Sequence, residues 1–306
     1  MTCVLAVDLG GTNLKGAVVS AAAEVLYQDS WPTEREQGPD HVIGRMLRFF
    51  DSLARESDRL GLAYSAAGIV VPGAVDESRG IGIAASNLGW RDVPFADLVS
   101  RHLQTPVAVG HDIRAAALAE ARQGVAKDSA GFFFMSIGTG IGGAIVVDGV
   151  PWTGASYLAA EIGHITLTAG TEQCACGRRG CLETVASANA IALRYAAETH
   201  VHDVDAALVC QRMQAGDPTA VRVWDAAIQA LAEAMQPVLT LVNPGLVVIG
   251  GGLSRAGNAL LDPLTTAVRH RRTVGLVPEI VLATLGDRAA CVGAGLLALD
   301  LSIGVS

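Results

Sequence analysis

The sequence predicts an α/β protein in two lobes, and three observations carry that expectation. Strand-like apolar runs alternate with helical periodicities along the whole chain. Three of those runs end in glycine turns, spread over both halves. The 306 residues lie at the upper edge of what one hydrophobic core serves. Hydrophobic residues make up 51% and charged residues 17%, enough to bury a sizeable core and not the composition of a disordered chain.

Taken in order, CVLAVD (3–8) reads as a strand, and LKGAVV (14–19) continues it after a glycine turn. A third strand is expected near 25–30. Residues 40–60 place Val42, Met46, Phe49, Phe50 and Leu53 at helical spacing, which makes an amphipathic helix. SAAGIVVPG (65–73) is a buried strand stopped by Pro-Gly. PVAVG (106–110) is a strand that runs into HDIRAAALAEARQG, an alanine-rich helix ending at Gly124. A second cycle follows. GFFFMSIG and GGAIVVDG form a hairpin, with helices expected at 187–199, 203–215 and 217–241. LVVIGGG (246–252) is a strand entering a glycine turn, with a helix after it near 255–270. IVLATLG (280–286) is a strand and AACVGAGLLAL (289–299) a closing helix. The division falls between a small lobe at 1–112 and a large lobe at 113–289. The last helix, about 290–304, is expected to pack back on the small lobe.

A net charge of −8 argues against a nucleic-acid partner, which would need a basic face. A strand-like run begins almost at once, without the basic segment of a signal peptide, so a cytoplasmic protein is expected. A long uncharged run, Ser129 to Val147, has a turn composition at its centre, SIGTGIGG, and reads as a hairpin rather than a membrane span. No repeat, low-complexity tract or long linker is visible.

The glycine turns are DLGGTNLKG, SIGTGIGG and VIGGGLS. Glycine after a strand lets backbone N–H groups approach phosphate oxygens, because no Cβ intervenes. None fits a P-loop, and none opens a helix as a dinucleotide fingerprint does. Asp8 ends its strand, where an acid beside a phosphate loop commonly holds Mg²⁺; an ordinary strand-end acid is the alternative. Thr12 and Lys15 are donors to phosphate or surface residues.

The cysteines carry a separate signal. His164, Cys174, Cys176 and Cys181 follow the pattern H-x9-C-x-C-x4-C, the Cys3His stoichiometry of a closed structural zinc site. Thiolates select a soft or borderline metal over Mg²⁺ or Ca²⁺. The alternative is a set of free, buried thiols. A metal that held His164 and Cys181 would also hold Glu161 and Glu183, which stand three and two residues away along the chain. Four protein ligands leave no open position for catalysis at the metal.

Together, DLGGTNLKG, SIGTGIGGAIVVDG, VVIGGG, GASYLAAEIGHI and CACGRRGCLE resemble the ROK family of bacterial sugar kinases and sugar-responsive repressors, over nearly the whole chain. The resemblance implies an actin/hexokinase-like, ribonuclease H-like fold with a ligand cleft between the lobes. It implies phosphate and nucleotide contacts at Asp8, Gly10, Gly11, Thr12, Asn13 and Lys15, at Gly138, Thr139, Gly140 and Gly142, and at Gly250, Gly251 and Gly252. It makes Asp112 the catalytic base. Asn87, His111, Glu161, His164 and Glu183 become sugar contacts alongside it. Two departures stand out: His111 replaces the usual asparagine before the aspartate, and Ala160 a more usual glycine.

The residues themselves leave Asp112 as a catalytic base or a helix N-cap, and His111 as a sugar contact or a core histidine. The implied reaction is ATP-dependent, Mg²⁺-assisted phosphorylation of a hexose, with glucose the default and N-acetylmannosamine, mannose, fructose or allose as other acceptors. Polyphosphate is an alternative donor, and a homodimer or homotetramer is expected. A non-catalytic sugar-binding or regulatory protein is the reading of another class. The family's repressors carry a DNA-binding helix-turn-helix that has no counterpart before the first strand here.

Overall fold

The structure is a computed structural model and describes residues 2–304, Ser86 and Thr273 excepted. The chain divides into two compact units. The first holds Met1–Arg122, Thr153–Leu158 and Arg288–Ser306; the second holds Gln123–Trp152 and Ala159–Asp287.

In the first unit, β1 (Thr2–Leu9), β2 (Asn13–Ser20) and β3 (Val25–Pro32) form an antiparallel meander. Helix α1 (Pro39–Arg59) then returns the chain to β4 (Ala63–Val71), parallel to β1. Pro39 starts α1 where its missing N–H costs nothing, and Val42, Met46, Phe49, Phe50 and Leu53 are all fully buried, as the periodicity requires. Three short strands, β5 (Ala74–Asp76), β6 (Ile81–Ala85) and β7 (Trp90–Val93), make a separate small antiparallel sheet. Helix α2 (Phe95–Leu103) leads to β8 (Val107–His111), parallel to β4, and α3 (Asp112–Gln123) follows without a gap. The main sheet is ordered β3-β2-β1-β4-β8. The last helix of the chain, Ala289–Ser302, packs on β1, β4 and β8.

The second unit repeats the pattern. The uncharged run is a hairpin of β9 (Gly131–Ile137) and β10 (Ile141–Val147), with Ile137 opposite Ile141, and the two-residue β11 (Val150–Pro151) adds to its edge. Helices α4 (Glu183–Ala186), α5 (Ala188–Thr199), α6 (Ala206–Gln214) and α7 (Pro218–Leu241) precede β12 (Leu246–Gly250), which is parallel to β9. After α8 (Asn258–Arg271), β13 (Glu279–Leu282) pairs parallel with β12. The C-terminal helix is α9. The order β11-β10-β9-β12-β13 matches that of the first sheet, a hairpin-built antiparallel half joined to a parallel half. This duplicated arrangement is the actin/hexokinase-like, ribonuclease H-like architecture.

Several boundaries differ from expectation for local reasons. Helix α6 starts at 206 rather than 203, because the Asp205 carboxylate caps it by accepting from Leu208 N. The helix expected at 255–270 begins as a 3₁₀ turn, Gly252–Ala256, broken from α8 by Gly257 in a positive-φ conformation. Among the described residues, no helix is long and apolar enough to cross a membrane.

Candidate active site

In the first unit the chemistry gathers at the C-terminal edge of the parallel strands, where open α/β sheets bind ligands. Asp8 pairs with Val70 across β1 and β4, and Val71 pairs with His111 across β4 and β8. Asp8 and the His111–Asp112 pair therefore stand at one edge of one sheet. The first glycine turn closes with Gly10 N donating to Asn13 O at 3.0 Å. Fully buried Thr33 ties it down, its Oγ1 donating to Gly10 O at 2.7 Å and its N to Thr12 O at 2.8 Å. Thr12 and Asn13 are exposed, and Lys15 is half-buried in β2. Asn87 approaches the same turn, since a Cβ on Gly11 would stand 3.2 Å from Asn87 Nδ2. Beside the turn lies a cavity of about 210 Å³, lined by Gly11, Thr12, Pro32, Glu34, Arg35 and Glu36.

Asp112 is the first residue of α3, and its Oδ1 accepts from Ile113 N at 2.7 Å. Burial raises its carboxyl to about 6, against the lowering effect of that amide and of the Arg114 charge. Burial, reinforced by the Asp112 charge, raises Asp8 to about 7, with Lys15 opposing. Buried Asp8 and half-buried Asp112, both raised, fit a divalent cation, whose oxygen-ligand preference and charge would favour the ionised form of each. His111 is 5% exposed, and burial, then the Arg114 charge, lowers it to about 3, so the ring is neutral at ordinary pH.

The second unit holds the other two glycine turns at the same edge of its own sheet, for Gly250 at the end of β12 pairs with Ser136 on β9. Gly251 lies at φ 80°, and a Cβ there would come within 2.4 Å of Ile137 O, so only glycine lets the two turns touch. Thr139 and Gly140 are exposed, Gly142 is buried in β10, and Gly138 O accepts from Ala188 N at the start of α5.

The cysteine segment lies against this hairpin. The short 3₁₀ turn Ile162–His164 sits flat on β10: a Cβ on Gly163 would fall 2.0 Å from Ile141 O. Backbone bonds from Leu182 N to Ile165 O and from Leu167 N to Gly180 O clamp the two arms together. The result brings His164, Cys174, Cys176 and Cys181 to one point, their ligand atoms all within 4.8 Å of one another. Cys174 Sγ lies 3.7 Å from His164 Nδ1, and Cys176 Sγ 3.6 Å from Cys181 Sγ. A tetrahedron with bonds of about 2.3 Å has edges of about 3.8 Å, so the set fits zinc. Burial pushes the Cys174 thiol up to about 12 and raises Cys181, whereas the Arg178 amide lowers Cys176. A bound cation is what would convert such thiols to thiolates.

Glu183 touches the cluster, its Oε1 accepting from Cys174 Sγ at 3.1 Å, and its Oε2 would lie 3.1 Å from a Cβ on Gly140. One carboxylate thus bridges the cysteine knuckle and the SIGTGIGG turn. Glu161, half-buried, caps the 3₁₀ turn through its carbonyl, which accepts from His164 N. Sequence reasoning missed Glu77 and Arg114 beside His111 and Asp112. Arg114, a charged residue in an alanine-rich helix, was the available signal.

A model of the ROK family matches residues 4–301. A glucokinase from Halalkalibacterium halodurans is 33% identical, over 95% of this chain and 93% of the relative. Among solved structures, the ROK hexokinase from Thermus thermophilus is 29% identical, with a TM-score of 0.82 over 100% of each chain. A ROK family glucokinase from Streptomyces griseus, in complex with glucose and AMPPNP, is 27% identical, with a TM-score of 0.85 over 97% of this chain and 99% of that one.

Proposed function

Because the chain belongs to the ROK family, we propose that it is an ATP-dependent hexose kinase that converts glucose to glucose 6-phosphate. The observation that carries this reading is the match along nearly its whole length to a kinase that holds glucose and AMPPNP.

In this reading Asp112 is the general base. Its Oδ2 takes the proton of the sugar 6-hydroxyl as that oxygen bonds to the γ-phosphorus, the bond to the β,γ-bridging oxygen breaks, and ADP leaves. The turns at Gly10–Thr12, at Thr139–Gly140 and at Gly251–Gly252 hold phosphate and nucleotide, with Asn13, Lys15, Gly138, Gly142 and Gly250 in supporting places. Asn87, Glu161, His164 and Glu183 fix the sugar hydroxyls, whereas His111, with Nδ1 accepting from Arg114 N and Nε2 facing Asp112, stands against the base rather than the sugar. Asp8 is the residue that would hold Mg²⁺, which supplies charge neutralisation for the transferring phosphoryl group.

His164 Nδ1, Cys174, Cys176 and Cys181 would hold zinc as a structural ion. With Nδ1 so committed, Nε2–H of His164 is the atom left for a sugar oxygen. The same reading expects a cytoplasmic protein that assembles as a homodimer or homotetramer. The test is a coupled ADP-release assay with ATP, magnesium and a panel of hexoses and N-acetylhexosamines. Glucose should give the highest kcat/KM. Tight sugar binding with no turnover of any sugar would favour a non-catalytic sensor instead.

A further inference from the structure

The immediate surroundings of Asp112 contain a buried assembly that the reaction as described does not use. Arg114 is 3% exposed. Its Nε donates to Glu77 Oε1 at 2.9 Å, and its Nη1 to Tyr157 O at 3.0 Å. The same Glu77 oxygen accepts from His111 N at 3.0 Å. The Tyr157 hydroxyl meets Ser78 Oγ at 3.3 Å, and Ser78 in turn donates to Asp76 Oδ1. The end of β8, the start of α3, the segment after β5 and the strap around Tyr157 are thereby tied through one guanidinium and one carboxylate. Neither Glu77 nor Arg114 is near the other in sequence, and both lie in the first unit.

The bond that matters most is in the imidazole. His111 Nδ1 accepts from Arg114 N at 3.4 Å. That is the bond of an N-cap to the third helical amide, so His111, and not Asp112, caps α3. An accepting Nδ1 carries no proton, so the proton of the neutral ring lies on Nε2. Nε2 faces Asp112 Oδ1 at 3.4 Å, on the oxygen that also accepts from Ile113 N. Oδ1 thus accepts from Ile113 N and faces the imidazole edge, and Oδ2 is the oxygen left to react.

We propose that Glu77 and Arg114 are positioning residues for phosphoryl transfer: they seat His111 as the Nε2–H tautomer against Asp112 Oδ1, so that Oδ2 is the oxygen that takes the sugar proton. This rests on the kinase reading above. Alignment is the term at stake, because a base displaced by about 1 Å loses up to about 10²-fold in rate. It also gives histidine a reason to stand before the aspartate. The ring reaches from the helix cap to the carboxylate in one side chain, and its neutrality avoids a buried charge beside Arg114.

The test combines a spectroscopic and a kinetic arm. In protein labelled with ¹⁵N-histidine, the His111 ring signals, assigned by their loss in His111→Gln, should show the Nε2–H tautomer at pH 7. In the kinetic arm, Glu77→Ala should lower kcat per folded molecule by about 10- to 100-fold with KM for ATP unchanged. Glu77→Gln keeps an oxygen acceptor for His111 N and Arg114 Nε and should recover kcat to within about threefold of wild type. A His111 ring protonated on Nδ1, or Glu77→Ala turning over at the wild-type rate, would overturn the proposal while leaving the kinase reading intact. A wild-type protein that binds sugar but phosphorylates none would defeat the kinase reading, and the ring signals would still report on the tautomer alone.

Discussion

Replacing Asp112 with asparagine should remove most of the turnover and make the protein more stable. The amide keeps an oxygen to accept from Ile113 N and loses only the charge and the basicity. A positioned base contributes about 10²- to 10⁴-fold, so kcat should fall by at least 10²-fold with sugar affinity largely retained. The stability gain follows from the raised carboxyl. Burial moves it from 3.8 to about 6, equivalent to about 3 kcal/mol.

The side chain is 27% exposed, and solvent screening trims the expected gain to about 1–2 kcal/mol at pH 7 and above. The sign is set by linkage: the folded state holds this proton more tightly than the unfolded chain, so the wild type loses stability as pH rises between 3.8 and about 6. The gain in Asp112→Asn should therefore halve by about pH 5 and nearly vanish by about pH 4. Thermal unfolding in buffer without added magnesium measures it, as a rise in Tm of a few degrees at pH 7.5. A variant that melts lower than wild type at that pH, or that turns over at the wild-type rate, would refute the reasoning.

The remaining predictions concern pH, metal and packing. Below about pH 6, kcat/KM should fall about tenfold per unit as Asp112 takes up a proton, while sugar affinity stays flat between pH 5.5 and 8 because His111 titrates only near 3. Purified protein should contain about one zinc per chain by elemental analysis. Cys181→Ser, which alters a fully buried candidate ligand, should lose that zinc and raise KM for sugar more than KM for ATP. Gly163→Ala should cost about 3 kcal/mol or more in thermal unfolding, because its Cβ would fall 2.0 Å from Ile141 O and backbone must move.

Much of this arrangement was legible in the sequence because its signals are local. The H-x9-C-x-C-x4-C spacing names four candidate ligands within one short stretch, and the structure brings those four together. The three glycine turns each follow an apolar strand, and each lies at the C-terminal edge of its sheet. What could not be read depends on residues far apart in sequence or on strands too short to show a period. The small sheet has strands AVD, IGIAA and WRDV, too short to alternate visibly. Glu77 meets His111 and Arg114 across more than thirty positions, a pairing no local pattern encodes. The cap of α3 was hidden by chemistry: aspartate is the common N-cap, yet here the histidine ring takes the amide and leaves Asp112 for another role. The contact of Glu183 with both the cysteine knuckle and the Gly140 turn likewise emerges only when the 3₁₀ turn at Ile162–His164 lies down on β10.

The most direct measurement follows phosphorus itself. Wild-type protein incubated with glucose, ATP and magnesium is read by ³¹P NMR, beside the Asp112→Asn variant under the same conditions. The account predicts a growing sugar phosphomonoester signal that co-resonates with added glucose 6-phosphate, matched by loss of the γ-phosphate of ATP, and a rate at least 10²-fold lower in the variant. An ester at another hydroxyl, or equal rates in the two proteins, would contradict it.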